Sequence, residues 1–314
     1  MTNRQTEAVT EAVTEAATLE SLLRSSTELL AAAGVDSPRA DAELLAAHVL
    51  GASRGEVAAW AIAGRRLDLL QSVDLRRLSI SRATRTPLQY LTGTTTFRSV
   101  ELQVGHGVFL PRPETELVAG AAIDAALAAQ DSTDGQGCAD GRPLVVDLCT
   151  GSGAIAAAVA SEVPGATVHA VEADPEAAWW AAANLAPRGV TLHVADAATA
   201  LPDLDGRADV VVSNPPYVPD GRIPVQAEAR RDPGLALYGG GADGMRLPAV
   251  VVAAAARLLR PGGTLVMEHD DTQGELMSAL LRRDGLFSDV QTREDLNGRP
   301  RYTIAARTDG TMAR

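Results

Sequence analysis

Apolar positions near the start of the chain return at threes and fours. From Leu19 to about Thr84, residues Leu22, Leu23, Leu29, Leu30, Leu44, Leu45, Val49 and Leu50 follow that spacing, with breaks at Gly34 to Pro38 and at Gly64. Such a period places apolar side chains on one face of a helix, a face that has to be covered. A small helical bundle is therefore expected over 19–86. Ahead of it, TEAVTEAVTEAA at 6–17 echoes a tetrapeptide, and residues 1–18 are expected to form a frayed or disordered extension.

The period then changes. In 87–112, PLQYLTGTTTFRSVELQVGHGVFLPR, strand-like runs hold Thr96, Phe97, Val100, Leu102 and Val104, and Gly105 stands in a turn before Val108, Phe109 and Leu110. A β-hairpin linker is expected there. Pro113 reads as the opening of a helix whose first turn carries Glu114 and Glu116, where acidic groups suit the helix dipole. After a polar loop, DSTDGQGCADGR at 131–142, strand and helix patterns alternate. Strands are expected at 143–149, 166–172, 190–194, 208–213 and 262–268, and helices at 153–161, 175–186, 245–260 and 274–283. Two closing strands lie near 287–293 and 301–306. Alternation of this kind builds an open α/β sheet, here with a terminal hairpin. The expected layout is thus a catalytic domain over 113–308 and a tail at 309–314. Ligands of such sheets bind at the carboxyl ends of the strands, so chemistry belongs to the loops after residues 149, 172, 194 and 213.

Composition narrows the class. The 314 residues are 46% hydrophobic but only 3% aromatic, and no apolar run approaches the roughly 18 residues of a membrane span. The N-terminus lacks a signal-peptide pattern, so a soluble, cytoplasmic chain without a membrane partner is expected. Cys138 and Cys149 offer neither a disulfide framework nor zinc spacing, and His48, His106, His169, His193 and His269 show no metal-ligand spacing. No metal is expected. A net charge of -12 argues against stable nucleic-acid binding, which draws on clustered Lys and Arg.

LVVDLCTGSGAIA at 144–156 runs from an apolar strand through a small-residue turn into a helix, so backbone N–H groups face whatever binds there. Gly151, Ser152 and Gly153 with Ala156 also fit a dinucleotide loop, and Glu172 is spaced as a ribose-binding acid. Asp147 tips the balance: a carboxylate just before the turn can accept from an ammonium group but crowds a pyrophosphate. Asp196 follows the third strand, where it can face an adenine amino group. Three acids at three strand ends suit a cationic, phosphate-free nucleoside such as S-adenosylmethionine. A nicotinamide-dependent dehydrogenase remains a rival that leaves the next motif unexplained.

That motif is Asn214, Pro215, Pro216 and Tyr217, directly after an apolar strand. Two prolines fix the backbone and donate nothing, so carbonyls stay free to accept. A carboxamide or nucleobase nitrogen carries two N–H donors and a delocalised lone pair. The Asn214 side-chain oxygen and the Pro215 carbonyl can each accept one N–H, orienting the nitrogen toward a methyl donor, while Tyr217 packs on the flat acceptor. Amide and nucleobase acceptors share this geometry.

With those residues in place, the chain resembles the peptide chain release factor N(5)-glutamine methyltransferases, the HemK or PrmC family. The resemblance covers roughly 20–307 and rests on PLQYLTG at 87–93, FLPRPETE at 109–116, DLCTGSGAIA at 147–156, NPPY at 214–217, DPGLALYGGGADGM at 232–245, PGGTLVMEHDDTQG at 261–274 and NGRPRY at 297–302. It implies a Rossmann-like, seven-stranded class I methyltransferase domain preceded by a helical substrate-recognition domain and a β-hairpin linker. It implies that Thr150, Gly151, Ser152 and Gly153 cradle S-adenosylmethionine, that Glu172 holds the ribose, and that Asp196 and Ala197 flank the adenine. Asn214 to Tyr217 would seat the glutamine of a release factor's Gly-Gly-Gln loop, with Arg112 and Glu114 near the substrate as an ion pair or as helix-start residues. Cys149 stands where the family pattern has glycine, Glu172 replaces the commoner aspartate, and His269-Asp270 alters the run after the fifth strand. The rival acceptors are a glutamine of a ribosomal protein and a nucleic-acid amine.

Overall fold

The computed structural model describes residues 17–131, 142–224 and 226–309. The repeat at 6–17, apart from Ala17, and Cys138 with most of its polar loop fall outside the described residues. The chain divides into two compact units.

The first unit comprises the described residues up to Gly93 together with 226–231. Its helices are α1 (Leu19–Ala32), α2 (Pro38–Leu50), α3 (Arg54–Ile62), α4 (Leu69–Ala83) and the short α5 (Leu88–Thr92). Three of these starts carry side-chain caps. Thr18 caps α1, and Ser53 and Asp68 form capping boxes with Glu56 and Gln71 at the heads of α3 and α4. Gly51, at φ 59°, ends α2. The periodic leucines split: Leu22, Leu23, Leu30 and Leu45 are buried, whereas Leu29 and Leu44 turn outward. Residues 226–231 join this unit through Glu228, which accepts from Arg82 at 2.9 Å and Arg85 at 2.7 Å. The two guanidiniums hold its carboxyl down at about 2 against the pull of burial.

The second unit opens with a hairpin, β1 (Thr94–Phe97) and β2 (Val100–Gln103), which pair antiparallel. The hairpin expected over 87–112 is therefore shorter and turns elsewhere. Residues 88–92 are helical, the turn falls at Arg98 and Ser99, and 104–112 contain no strand. Arg98 adopts φ 50° because three groups hold it. Its N–H donates to Glu116 Oε1 at 3.0 Å, and its guanidinium reaches the Glu116 carbonyl and Glu162. Gly105 serves close packing instead of the hairpin turn, since a Cβ there would stand 2.4 Å from the Trp180 ring. Helix α6 (Thr115–Asp131) begins two residues after Pro113, which sits in the turn leading into it.

Then come β3 (Leu144–Leu148), α7 (Ala154–Glu162), β4 (Thr167–Glu172), α8 (Pro175–Leu185), β5 (Thr191–Val194) and β6 (Ala208–Ser213). The short α9 (Gly234–Leu237), α10 (Arg246–Leu258), β7 (Leu259–Glu268), α11 (Gly274–Arg283), β8 (Phe287–Glu294) and β9 (Pro300–Arg307) complete the chain. The sheet has seven strands in the order β5-β4-β3-β6-β7-β9-β8. Strands β3 to β7 run parallel, and β9 is antiparallel to both its neighbours. This is the Rossmann-like seven-stranded arrangement expected for the second unit. β3 and β6 are buried along their whole length, as central parallel strands must be. Their last paired residues are Leu148 and Ser213, so the loops that follow them lie side by side at the carboxyl edge. Among the described residues no helix is long and apolar enough to cross a membrane.

Candidate active site

A pocket of about 360 Å³ opens at this edge of the second unit. Its walls include Cys149 to Ser152 from the first loop, Glu172 to Pro175 from the second, Ala195 to Ala197 from the third, and Asn214 and Pro216 from the fourth. Phe109, Thr115, Leu235 and Val251 add apolar and hydroxyl surface. The four loops singled out in the sequence thus meet around one cavity.

The first loop is braced by two carboxylates. Asp147, 1% exposed, accepts at Oδ2 from Thr150 Oγ1 at 2.5 Å and from the Ala156 N–H at 3.1 Å. Its Oδ1 is buried without a hydrogen-bond partner among the described residues, and Asp147 lies beneath the pocket lining rather than on it. Burial raises this carboxyl to about 7. Glu172 accepts the Gly151 N–H at 2.8 Å and the Asp174 N–H at 2.9 Å, one on each oxygen. Each carboxylate oxygen has a second lone pair, so Glu172 can still accept hydroxyl protons from a ribose. Burial raises the Glu172 carboxyl while these backbone N–H groups lower it. Gly153, at φ 83°, is required twice over, because a Cβ would also stand 2.8 Å from Leu185. Cys149 holds φ 59° without being glycine, and burial pushes its thiol up to about 12, so it stays protonated. Asp196 is exposed on the pocket wall, one oxygen accepting the Ala198 N–H at 2.9 Å, with Ala197 beside it.

These features fit a nucleoside bearing a cation. The walls offer carboxylates at Glu172 and Asp196 with apolar surface between them, and beneath the lining Asp147 keeps a buried carboxyl oxygen without a partner among the described residues. Among the described residues, Lys and Arg, the usual partners of a phosphate, do not appear on the pocket wall. Among the described residues no cluster of His, Cys, Asp or Glu could hold a metal ion.

The tetrapeptide is clamped from outside its own strand. Asn214 Nδ2 donates to Thr115 Oγ1 at 3.3 Å, and the Tyr217 hydroxyl donates to Glu268 Oε1 at 3.2 Å. Asn214 and Pro216 line the pocket; Pro215 and Tyr217 do not. Gln273 Nε2 donates to the Tyr217 carbonyl at 2.9 Å, and the Val218 N–H bonds to the Leu237 carbonyl. Two glycines admit the backbone. A Cβ on Gly239 would stand 2.7 Å from the Pro216 carbonyl and 2.1 Å from that of Gly244, and a Cβ on Gly244 would stand 2.1 Å from the Tyr217 carbonyl. Of the two alternatives for Arg112 and Glu114, the ion pair does not form among the described residues and the helix start does hold them: Arg112 donates to Asp232, whose side chain is fully buried, its guanidinium lies over the Phe109 ring, and its carbonyl accepts the Thr115 N–H. Asp232 opens the stretch whose Pro233, Leu235 and Ala236 line the pocket. Glu114 supplies its carbonyl to the turn that starts α6.

Sequence reasoning missed Thr115, Gly239, Gly244, Glu268 and Gln273. The run LYGGGADG carried a signal, since closely spaced glycines mark tight backbone approach. Nothing local marks Thr115, Glu268 or Gln273 as neighbours of the tetrapeptide.

Comparison with known proteins adds independent findings. Residues 21–93 match the PrmC N-terminal domain, and residues 139–230 match the methyltransferase small domain. The chain is 47% identical over 282 residues to the release factor glutamine methyltransferase of Streptomyces coelicolor, covering 89% of this chain and 95% of that one. It is 42% identical over 300 residues to the protein of the same description in Bifidobacterium longum, covering 91% and 99%. Among solved structures, the ribosomal protein L11 methylase of Lactobacillus delbrueckii subsp. bulgaricus matches with a TM-score of 0.42 at 21% identity, covering 66% of this chain and 84% of that chain.

Proposed function

The chain belongs to the release factor glutamine methyltransferase family, and from that premise we propose that it methylates the side-chain amide nitrogen of the glutamine in the Gly-Gly-Gln loop of peptide chain release factors, modulating translation termination. It is an S-adenosylmethionine-dependent methyltransferase. When bound, S-adenosylmethionine supplies an electrophilic methyl carbon on a sulfonium. The observation that carries the reading is Asn214, on the pocket wall next to the cofactor loop, with its amide group turned to Thr115 and its oxygen left for an acceptor.

In this reading Thr150 to Gly153 hold the cofactor's amino-acid end, over Asp147. Glu172 accepts from the ribose, and Asp196 with Ala197 borders the adenine. Asn214 Oδ1 accepts one N–H of the incoming carboxamide, and the carbonyl of Pro215, which stands in the chain between the wall residues Asn214 and Pro216, accepts the other. Holding both donors in plane aligns the nitrogen lone pair, and both acceptors strengthen as positive charge grows on nitrogen. A proton then leaves that nitrogen for solvent; no base has to remove it beforehand, because it becomes acidic only as the bond forms. Pro216 walls the acceptor, Tyr217 fixes the turn from behind, and Arg112 holds the 232–236 wall through Asp232.

The test is transfer of labelled methyl from S-adenosylmethionine to purified, unmodified release factor, beside a copy whose Gly-Gly-Gln glutamine is replaced by alanine. Label entering the first and not the second supports the reading. Equal labelling of both, or none in either with cofactor still bound, sinks it and brings forward a ribosomal protein or nucleic-acid acceptor.

A further inference from the structure

An asparagine can serve as an acceptor only if its carboxamide is the right way round, and nothing in the tetrapeptide itself decides that. A flipped Asn214 would present N–H groups to an incoming amide and repel it. The decision lies with Thr115, the first residue of α6, which is 3% exposed and lines the same pocket. Asn214 Nδ2 can only donate, so Thr115 Oγ1 must accept from it. A hydroxyl has one proton, and that proton needs an acceptor elsewhere.

Glu268, at the end of β7 and 1% exposed, is a buried carboxylate on which the Thr115 hydroxyl acts. The Thr115 hydroxyl counters the upward pull of burial on that carboxyl. The Tyr217 hydroxyl donates to the other side of the picture, at Oε1, and Oε2 meets no donor at full bonding geometry among the described residues. One buried carboxylate thus accepts from Tyr217 at one end of the tetrapeptide and is lowered by Thr115, the hydroxyl that holds Asn214 at the other end. Burying a carboxylate is costly unless it is satisfied, and a carboxylate kept at this depth behind a substrate wall marks a constraint on orientation.

We propose that Thr115 and Glu268 are positioning residues that hold the Asn214 carboxamide with its oxygen toward the acceptor nitrogen, Thr115 accepting from Asn214 Nδ2 and donating its own proton to Glu268. The proposal rests on the reading of Asn214 as the acceptor's partner. It adds an orientation device that no element of the motif encodes. Thr115→Val keeps the shape and removes the hydroxyl, Thr115→Ser keeps the hydroxyl, and Glu268→Gln keeps size while turning one accepting oxygen into a donor.

The experiment uses the full chain with two readouts. The first is single-turnover methyl transfer to unmodified release factor, with the Kd for S-adenosylmethionine measured separately. Thr115→Val is expected to slow transfer by about ten- to a hundredfold with the Kd changed less than about twofold, Glu268→Gln to follow it, and Thr115→Ser to recover to within about threefold of the native rate. The second readout needs no substrate: in protein labelled with 15N-asparagine, the Asn214 side-chain amide protons exchange slowly in the native chain and in Thr115→Ser, and quickly in Thr115→Val. If Thr115→Val transfers at the native rate, or if its Asn214 amide is as protected as the native one, the proposal is overturned. If the native chain methylates no release factor, the functional reading fails, while the amide signature still decides whether Thr115 orients Asn214.

Discussion

The loops after β3 and β6 start from paired neighbours in the sheet, yet they are held in opposite ways. The cofactor loop is braced by residues close in sequence or on the adjoining strand: Asp147 grips Thr150 and the head of α7, and Glu172 grips Gly151. The tetrapeptide is braced from afar, by Thr115, Gly239, Gly244, Glu268 and Gln273. A loop that binds one invariant small molecule can be shaped by its own backbone and a few carboxylates. In the proposed reading the tetrapeptide presents bare acceptors to a planar amide; its own prolines supply stiffness, and its orientation is imposed by other elements.

The comparison breaks most sharply at Gly239. Gly239→Ala puts a Cβ against two carbonyls, an overpacking that costs about 1–3 kcal/mol and displaces the backbone of Pro216 and Tyr217. Thermal unfolding should show the loss, and methyl transfer should fall further than stability does, with cofactor affinity largely kept. Native cofactor affinity together with native transfer would mean that the tetrapeptide is not clamped by this glycine.

Asp147 sharpens the other half. Its folded carboxyl stands at about 7, above the ordinary 3.8. Below the ordinary value both folded and unfolded chains carry the proton. As the pH rises to 7 the unfolded chain ionises first, so stability is lost over that window and stays lost above it. Asp147→Asn keeps an acceptor for Thr150 and Ala156 and removes the titration. It should be more stable than the native chain by about 1–2 kcal/mol at pH 8, with the gap closing toward pH 4, and it should bind S-adenosylmethionine more weakly. Melting curves across pH check the first claim and a binding titration the second; a gap that does not change with pH contradicts the assignment.

Cys149 has the smallest expected effect. A non-glycine residue at φ 59° carries about 1–2 kcal/mol of strain, offset by the greater chain entropy that glycine loses on folding. Cys149→Gly should therefore gain about 1 kcal/mol or less, measured by denaturant unfolding, with cofactor binding equal or tighter. A clear loss would show that the thiol's packing outweighs the backbone strain.

The same contrast explains what the sequence made legible. Strand and helix alternation from 143 onward, the four loops at one edge, and the carboxylates at 147, 172 and 196 are all local patterns; the four loops do meet around one pocket, with Glu172 and Asp196 on its wall and Asp147 off it. Family membership followed from motifs spread over nearly the whole chain. The hairpin turn was misplaced because Arg98 looks nothing like a turn residue; its conformation is set by Glu116 and Glu162, residues from later helices. The pairing of Arg112 with Asp232 and the joining of 226–231 to the first unit through Glu228 are long-range ion pairs with no periodic signature. Thr115 and Glu268 stayed hidden for the same reason: each reads as an ordinary helix-start or strand-end residue until the fold sets it behind the tetrapeptide.

The most direct measurement of the central claim is single-turnover methyl transfer by Asn214→Ala, beside its S-adenosylmethionine Kd. The account predicts transfer slowed by about a hundredfold or more with the Kd within about twofold of native, since Asn214 contributes an acceptor to the incoming amide while the cofactor loop stands on its own braces. Transfer within about threefold of native, or a rate loss matched by an equal loss of cofactor binding, would contradict it.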